Sequence, residues 1–430
     1  MQRFRCLGTP GAPPGHSGGN CGTGYGLRNV FIIAIATLAL AACSGGGTDT
    51  SSPAPIGPTA AVVPTTQQEA SRFLAQSSMG ANMSAIDYVS ANGYPRWFEQ
   101  QMLVPAGSPH QSYLVSVIAG LPANESPQDS HVMNTFWRQA ASASDQLRQR
   151  MAFALSQIFV VSLQADALSE HRRGVASYLD MLGQQAFGNY RDLLEAVTLH
   201  PMMGLYLSHL RNQKESGNRI PDQNYAREVM QLFSIGLHQL NPDGTPVMSN
   251  GQPVETYTSA DIAGLSRVFT GFSWAGPDKQ DGRFFGSDAP TPDPNRDVLP
   301  MQDYPRFHSV SAKTFLGVTI PAQNPADPRT SLRIALDTLA AHPNVAPFFG
   351  RQLIQRLVTS NPSPAYVSRV SEAFSSGTFV WHNGWRTGSG RRGDLRATIA
   401  AVLLDDEARD MTKLTDAGFG KVREPVLRLS

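Results

Sequence analysis

The segment Ser144–Ser162 sets the strongest constraint on the fold. Leu147, Met151, Ala154, Leu155, Ile158 and Val161 recur at helical spacing, and Phe153, Phe159 and Val160 add apolar groups on the remaining sides. Ser144 suits the N-cap. A helix apolar nearly all round is stable only when other elements enclose it. The chain supplies them. The same period predicts helices over 67–77, 95–103, 166–187, 189–199, 201–210, 222–240, 258–272, 331–341, 343–357, 363–376 and 395–405, with Asp394 capping the last. Asn241 to Thr245 reads as a turn, and Val247 to Val254 as a small β-hairpin. Residues 275–308, rich in Pro, Asp and Gly, form a long loop. The expected fold is all-α: a multi-helix single domain over 67–430 with one small hairpin and long loops. Leu429 and Ser430 fall inside a helix expected to begin near Lys421, so the domain is expected to be truncated at its C-terminus.

A different signal precedes this domain. Val30 to Ala42 is an apolar run of the length of a signal-peptide core, too short to span a bilayer. It ends Leu40-Ala41-Ala42-Cys43, followed by Ser44 and three glycines. Small residues before a cysteine resemble a bacterial lipobox, which implies cleavage before Cys43 and lipidation of its thiol. Residues 1–42 are therefore expected to be a lipoprotein-type signal peptide. Residues 43–66, the lipidated cysteine and a Gly/Ser/Thr/Pro stretch, are expected to be a flexible tether. Residues 1–27 make an unusually long start to such a signal, and initiation at Leu27 gives a compact one. The other cysteines, Cys6 and Cys21, would leave with the signal, so the processed chain has no internal disulfide and no cysteine-bound metal. The expected location is the cell envelope, at the outer membrane if the cell is Gram-negative, with the membrane as a partner through Cys43.

Only 16% of residues are charged and the formal net charge is +1. Nucleic-acid binding through bulk positive charge is excluded. The expected domain, residues 67–430, contains neither a G-x-S-x-G elbow nor a G-x-x-x-x-G-K-[ST] phosphate loop nor an H-E-x-x-H zinc motif. Asn241-x-Asp243-Gly244 lacks the glutamate a calcium loop needs, since position 252 is Gln.

The densest polar stretch is His209 to Glu228. It sets Arg211, Lys214, Glu215, Arg219, Asp222, Asn224, Arg227 and Glu228 between two apolar helices, with Asp222 placed to cap the second. In that second helix Tyr225, Val229, Leu232, Phe233 and Leu237 make an apolar face. Asn224, Arg227, Glu228, Gln231 and His238 fall on a polar stripe. Ion pairs from Arg227 and Glu228 to neighbouring helices would account for part of this pattern. A cleft binding a polar ligand through Arg211, Asp222, Asn224, Arg227 and Glu228 is the functional alternative. A metal or carboxylate site would need His200, His209, Asp222 and Glu228 to converge, with Glu228 and His200 as catalytic candidates. Trp381 and Trp385 with Tyr304 and Phe307 offer a carbohydrate-stacking face, though loop aromatics more often seal the edge of a core.

Several segments carry a resemblance: Arg150 to Ser162, Ala186 to Glu195, Thr198 to Gly204, and Pro221 to Gly236 with Phe269-Thr-Gly-Phe272. Together they resemble the bacterial domain-of-unknown-function family numbered 1800. The resemblance spans roughly residues 70–430 and implies an exported, mainly helical protein without an established activity or cofactor. Members usually have an acid where Gln223 stands, so a site built on that carboxylate would be weakened here. The expectation is an envelope binding or scaffold module for a polar ligand, glycan or partner protein, with a hydrolase-like site near Glu228 and His200 as the alternative.

Overall fold

The computed structural model describes residues 66–287, 293 and 295–429. The expected signal peptide, Cys43 and the tether as far as residue 65 lie outside them. At Thr66 the chain enters its first helix, Gln67–Ser77, through a capping box in which Thr66 and Glu69 each accept from the other's backbone N–H. The helix Met83–Leu103 follows and packs against it. Gly93, at φ +80°, kinks this helix two residues before Pro95, so only its second half shows a clear period in the sequence. Two helices escape the periodicity argument, Pro109–Gly120 and Asp129–Ser142. They bury little apolar surface, while Val115, Ile118, Met133 and Trp137 face solvent.

The fold is all-α with small hairpins. Gln146–Ser156 is buried as expected, against Arg172–Gln185 and Met83–Leu103. It ends six residues early. Beyond Ser156 the freed carbonyls find tertiary donors: Arg356 Nη2 reaches Gln157 O at 3.2 Å and the Tyr178 hydroxyl reaches Phe159 O at 2.8 Å. The most enclosed helix is Leu395–Leu404, buried at every position but Arg396, with Asp394 Oδ1 accepting from Ala397 N at its start. It packs with Val345–Leu357 and Pro364–Ser376. Tyr190, Phe349 and Phe374 meet edge-on or tilted between these elements.

Among the described residues, four two-stranded ladders decorate the helices. Met248–Ser249 with Gln252–Pro253 is the expected hairpin, and Asn241 to Thr245 is a turn closed by Gly244 N on Asn241 O. The region 275–308 is less irregular than its composition suggests. It holds the short helix Asp281–Phe285, and Gln302–Asp303 pairs with Phe272–Ser273. Lys313–Phe315 pairs with Val318–Ile320, and Phe379–Val380 with Arg386–Thr387. Near the chain's last described residues the helix is short, Pro425–Leu429. No helix among the described residues is long and apolar enough to cross a membrane.

Candidate functional site

The expected helix over 222–240 is the largest departure within the polar region. An α-helical turn, Asn224–Glu228, runs into a π-helical turn, Val229–Ser234, and the chain leaves at Gly236 (φ +71°). The wider turn is fixed by Ile235 N on Met230 O at 2.9 Å and by the Ser234 hydroxyl on Val229 O at 2.5 Å. One extra residue per turn rotates everything after it. Leu232 and Leu237, expected on the apolar face, are about half exposed, and Met230 and Ile235 take the core positions.

His200 and His209 belong to the core beneath this helix. His200 caps Pro201–Tyr206, its Nδ1 accepting from Met202 N at 3.3 Å, and its ring lies edge-on to Tyr178. His209 donates from Nε2 to Thr198 O at 2.8 Å and stacks on Tyr225 at 3.8 Å. Burial pushes the pKa of His200 down to about 3 and that of His209 to about 4, so both are neutral near pH 7. Thr198 Oγ1 bonds the Tyr225 hydroxyl at 2.7 Å, which closes a small polar knot. No hydrogen bond, ion pair or ring contact joins either histidine to Asp222 or Glu228. Among the described residues, no group of three or more His, Cys, Asp or Glu side chains is arranged to hold a metal ion. The expected convergence of His200, His209, Asp222 and Glu228 therefore fails, because two of the four are packing groups.

Above the knot, residues 208–223 form an open loop. Its backbone is stitched to neighbouring segments: Arg211 N donates to Phe272 O, Lys214 N to Phe307 O, and Gly271 N to Asn212 O. Asn212, nearly buried, binds both backbone groups of Asp222, with Oδ1 accepting from Asp222 N at 2.9 Å and Nδ2 donating to Asp222 O at 3.1 Å. Ser208 and Arg211 are held at φ +62° and +67°, a left-handed conformation uncommon for residues other than glycine. Ser208, Arg211, Asn212, Arg219, Asp222 and Gln223 are among the residues that line a cavity of about 530 Å³, wide open to solvent.

Of the five expected ligand-binding residues, Arg211 and Asp222 line this cavity. Asp222 Oδ1 accepts from Asn224 N at 2.8 Å, so it serves the first helical turn from one position before the formal cap, Gln223. Its Oδ2 accepts from the Ser208 hydroxyl at 3.1 Å. Asn224 touches the rim, 3.5 Å from that same hydroxyl. Arg227 and Glu228 lie along the helix beside Tyr257, whose hydroxyl is raised by burial and then by the Glu228 charge. Neither forms the ion pair that a purely structural role would require, among the described residues. Sequence reasoning missed Ser208 and Asn212. Nothing in their spacing marks them, since the Ser208 hydroxyl meets the Asp222 side chain, and the Asn212 amide the Asp222 backbone, only once the loop has folded.

The stacking face is not formed. Trp381, Trp385 and Tyr304 are buried. Trp381 packs on Tyr94 and Trp385 on Phe98, whereas Tyr304 and Phe307 pack on Phe284.

A family model described as "Protein of unknown function (DUF1800)" matches residues 72–430. No curated protein and no solved structure matches the chain.

Proposed function

Since the chain belongs to the DUF1800 family, whose description assigns no activity, we propose from its own geometry that it is a binding module. Its 208–223 loop would take up a polar ligand bearing both donors and acceptors, such as an envelope glycan. One observation carries this. Two non-glycine residues in left-handed conformation hold Arg211 and Asp222 over the same opening without pairing them. Such backbone costs roughly 1–3 kcal/mol per residue and persists where the surroundings over-determine it, commonly at ligand sites. The arrangement leaves a cation and an anion without an ion pair, each held by neutral partners: Arg211 Nη1 donates to Phe285 O at 3.3 Å, and Asp222 accepts from Asn224 N and the Ser208 hydroxyl. The hydrolase alternative has no support of this kind, because Glu228 and His200 do not meet.

Soluble peptidoglycan fragments are a suitable probe. Amide hydrogen exchange over residues 208–224 should slow when they are added, and the protection should vanish in Arg211→Ala with Asp222→Asn. Unchanged exchange in the parent protein, or equal protection in the double variant, would refute the proposal.

The cell-envelope location belongs to the same proposal, with lipid on Cys43 as the anchor. Cys43→Ser should abolish incorporation of labelled palmitate and leave the precursor uncleaved. Labelled, mature Cys43→Ser protein would show that the anchor lies elsewhere.

A further inference from the structure

Cationic side chains crowd a second cavity, of about 190 Å³, far from evenly matched by acids. Arg72 reaches it from the first helix, Arg150 from Gln146–Ser156, and Lys413, Lys421 and Arg423 from the segment that follows Leu395–Leu404. Two of the five are neutralised by carboxylates: Lys413 by Asp416 at 3.0 Å and Lys421 by Glu424 at 2.8 Å. Arg72 donates to the backbone carbonyl of Asp410, and Arg423 is exposed with no carboxylate within ion-pair distance among the described residues.

Arg150 is the decisive group. It is 1% exposed, and one donor, Nη2, reaches Arg356 O at 2.6 Å. Its Nε and Nη1 have no hydrogen-bond partner among the described residues. Buried polar atoms in folded proteins are almost always satisfied, and a buried guanidinium without its full set of partners is a costly feature. It lies over the Phe153 ring at 5.9 Å and borders the cavity, so a bound group can supply what is missing. Phe419 forms an apolar wall, with Arg72 and Lys413 standing over its ring at 5.7 and 5.9 Å, which holds both cations near the opening. Burial lowers the pKa of Arg150 only to about 10, so it stays charged near neutral pH.

We infer that this cavity is an oxyanion site that binds a phosphoryl group, with the buried Arg150 guanidinium at its floor and Arg72 and Arg423 at its mouth. Five cations face three nearby carboxylates, Asp410, Asp416 and Glu424, and the excess positive charge suits a phosphoryl dianion. Arginine is also the side chain whose planar donors best suit phosphate oxygens. The group can come as free phosphate or as the end of a phosphate ester, including a lipid headgroup, and the cavity is too small for much more than that group.

The test is calorimetric titration of the full chain with inorganic phosphate at low ionic strength, against sodium chloride of equal ionic strength. Saturable one-to-one binding is expected for phosphate and none for chloride. Arg150→Lys keeps the charge but loses the planar donors, and should weaken binding about tenfold or more. Arg423→Gln alters only an exposed side chain, so it keeps the test valid if Arg150→Lys does not fold, and it too should weaken phosphate binding. Tighter binding of glycerol 3-phosphate than of phosphate would support the site and assign it to an ester. Phosphate heats no larger than those of chloride would overturn the inference. So would parental affinity in a folded Arg150→Lys or in Arg423→Gln, or binding to phosphatidylglycerol vesicles without any binding of free phosphate.

Discussion

Glu228 is half-buried and forms no ion pair among the described residues, and this separates it from its sequence neighbours Asp222 and Asn224, which are tied into the loop. Removing its charge breaks no pair. Glu228→Gln should therefore change the unfolding free energy by less than about 0.5 kcal/mol, the range of surface substitutions away from special features. Urea unfolding of the two proteins side by side measures this. A loss above about 1 kcal/mol would reveal a partner for the carboxylate and remove Glu228 from the candidates for function. His200 and His209 show the opposite case. Both are residue types that bind metals, and both are core groups here, one capping a helix and the other stacked on Tyr225.

At the scale of elements, close packing decides more than local preference. Gly264 lies within the helix Ser259–Val268, which rests on the strand Lys313–Phe315. A Cβ at this position would sit 1.7 Å from Thr314 O, a backbone atom that cannot swing aside. Gly264→Ala should thus destabilise the protein by at least the 1–3 kcal/mol typical of overpacking. Gly120, at the end of Pro109–Gly120, meets nothing within 4 Å. Gly120→Ala should be neutral or stabilising by up to about 1 kcal/mol through helix propensity and chain entropy. Guanidinium midpoints compare the pair, and a Gly264→Ala protein as stable as Gly120→Ala would mean that the helix can lift off its strand at little cost. Helix ends follow the same rule. Gln146–Ser156 stops where Arg356 and Tyr178 bond the carbonyls of Gln157 and Phe159 just beyond it, and Val229–Ser234 widens where the Ser234 hydroxyl takes one.

For the whole molecule, buried histidines set the response to acid. Burial holds His110, His209 and His308 near pKa 4 and His200 near 3, all below the ordinary 6.5. The unfolded chain binds protons at these positions that the folded chain does not. Their contribution to stability is complete above about pH 6.5 and is lost as the pH falls toward their folded values. Asp180 opposes this. Burial raises its carboxyl to about 6, against the backbone N–H groups of Gln111 and His110, so the folded chain gains protons there first. Burial also raises the Asp145 carboxyl, and four imidazoles outweigh these two carboxyls. The urea midpoint should fall steadily from pH 7 to pH 4.5, and a flat or rising profile would show that the histidines take up protons without opening the core.

The residue pattern by itself determined that the chain is helical, where most helices lie, and which stretch is densest in polar groups, because helical period and capping are local properties. Gln67–Ser77 and the Asp394 cap are set by residues three or four apart. It also placed Arg211 and Asp222 in one polar region. Only the tertiary structure decided that these two line an opening while His200 and His209 close a core, since burial depends on segments far away in sequence. The same holds for the π turn, whose start depends on where Met230 and Ile235 find room in the core. The Arg150 cavity is the clearest case. Its cations come from residues 72, 150 and 413–423, in a chain of formal net charge +1. No stretch of the sequence is basic enough to announce it, because the charge density exists only after folding brings the three segments together.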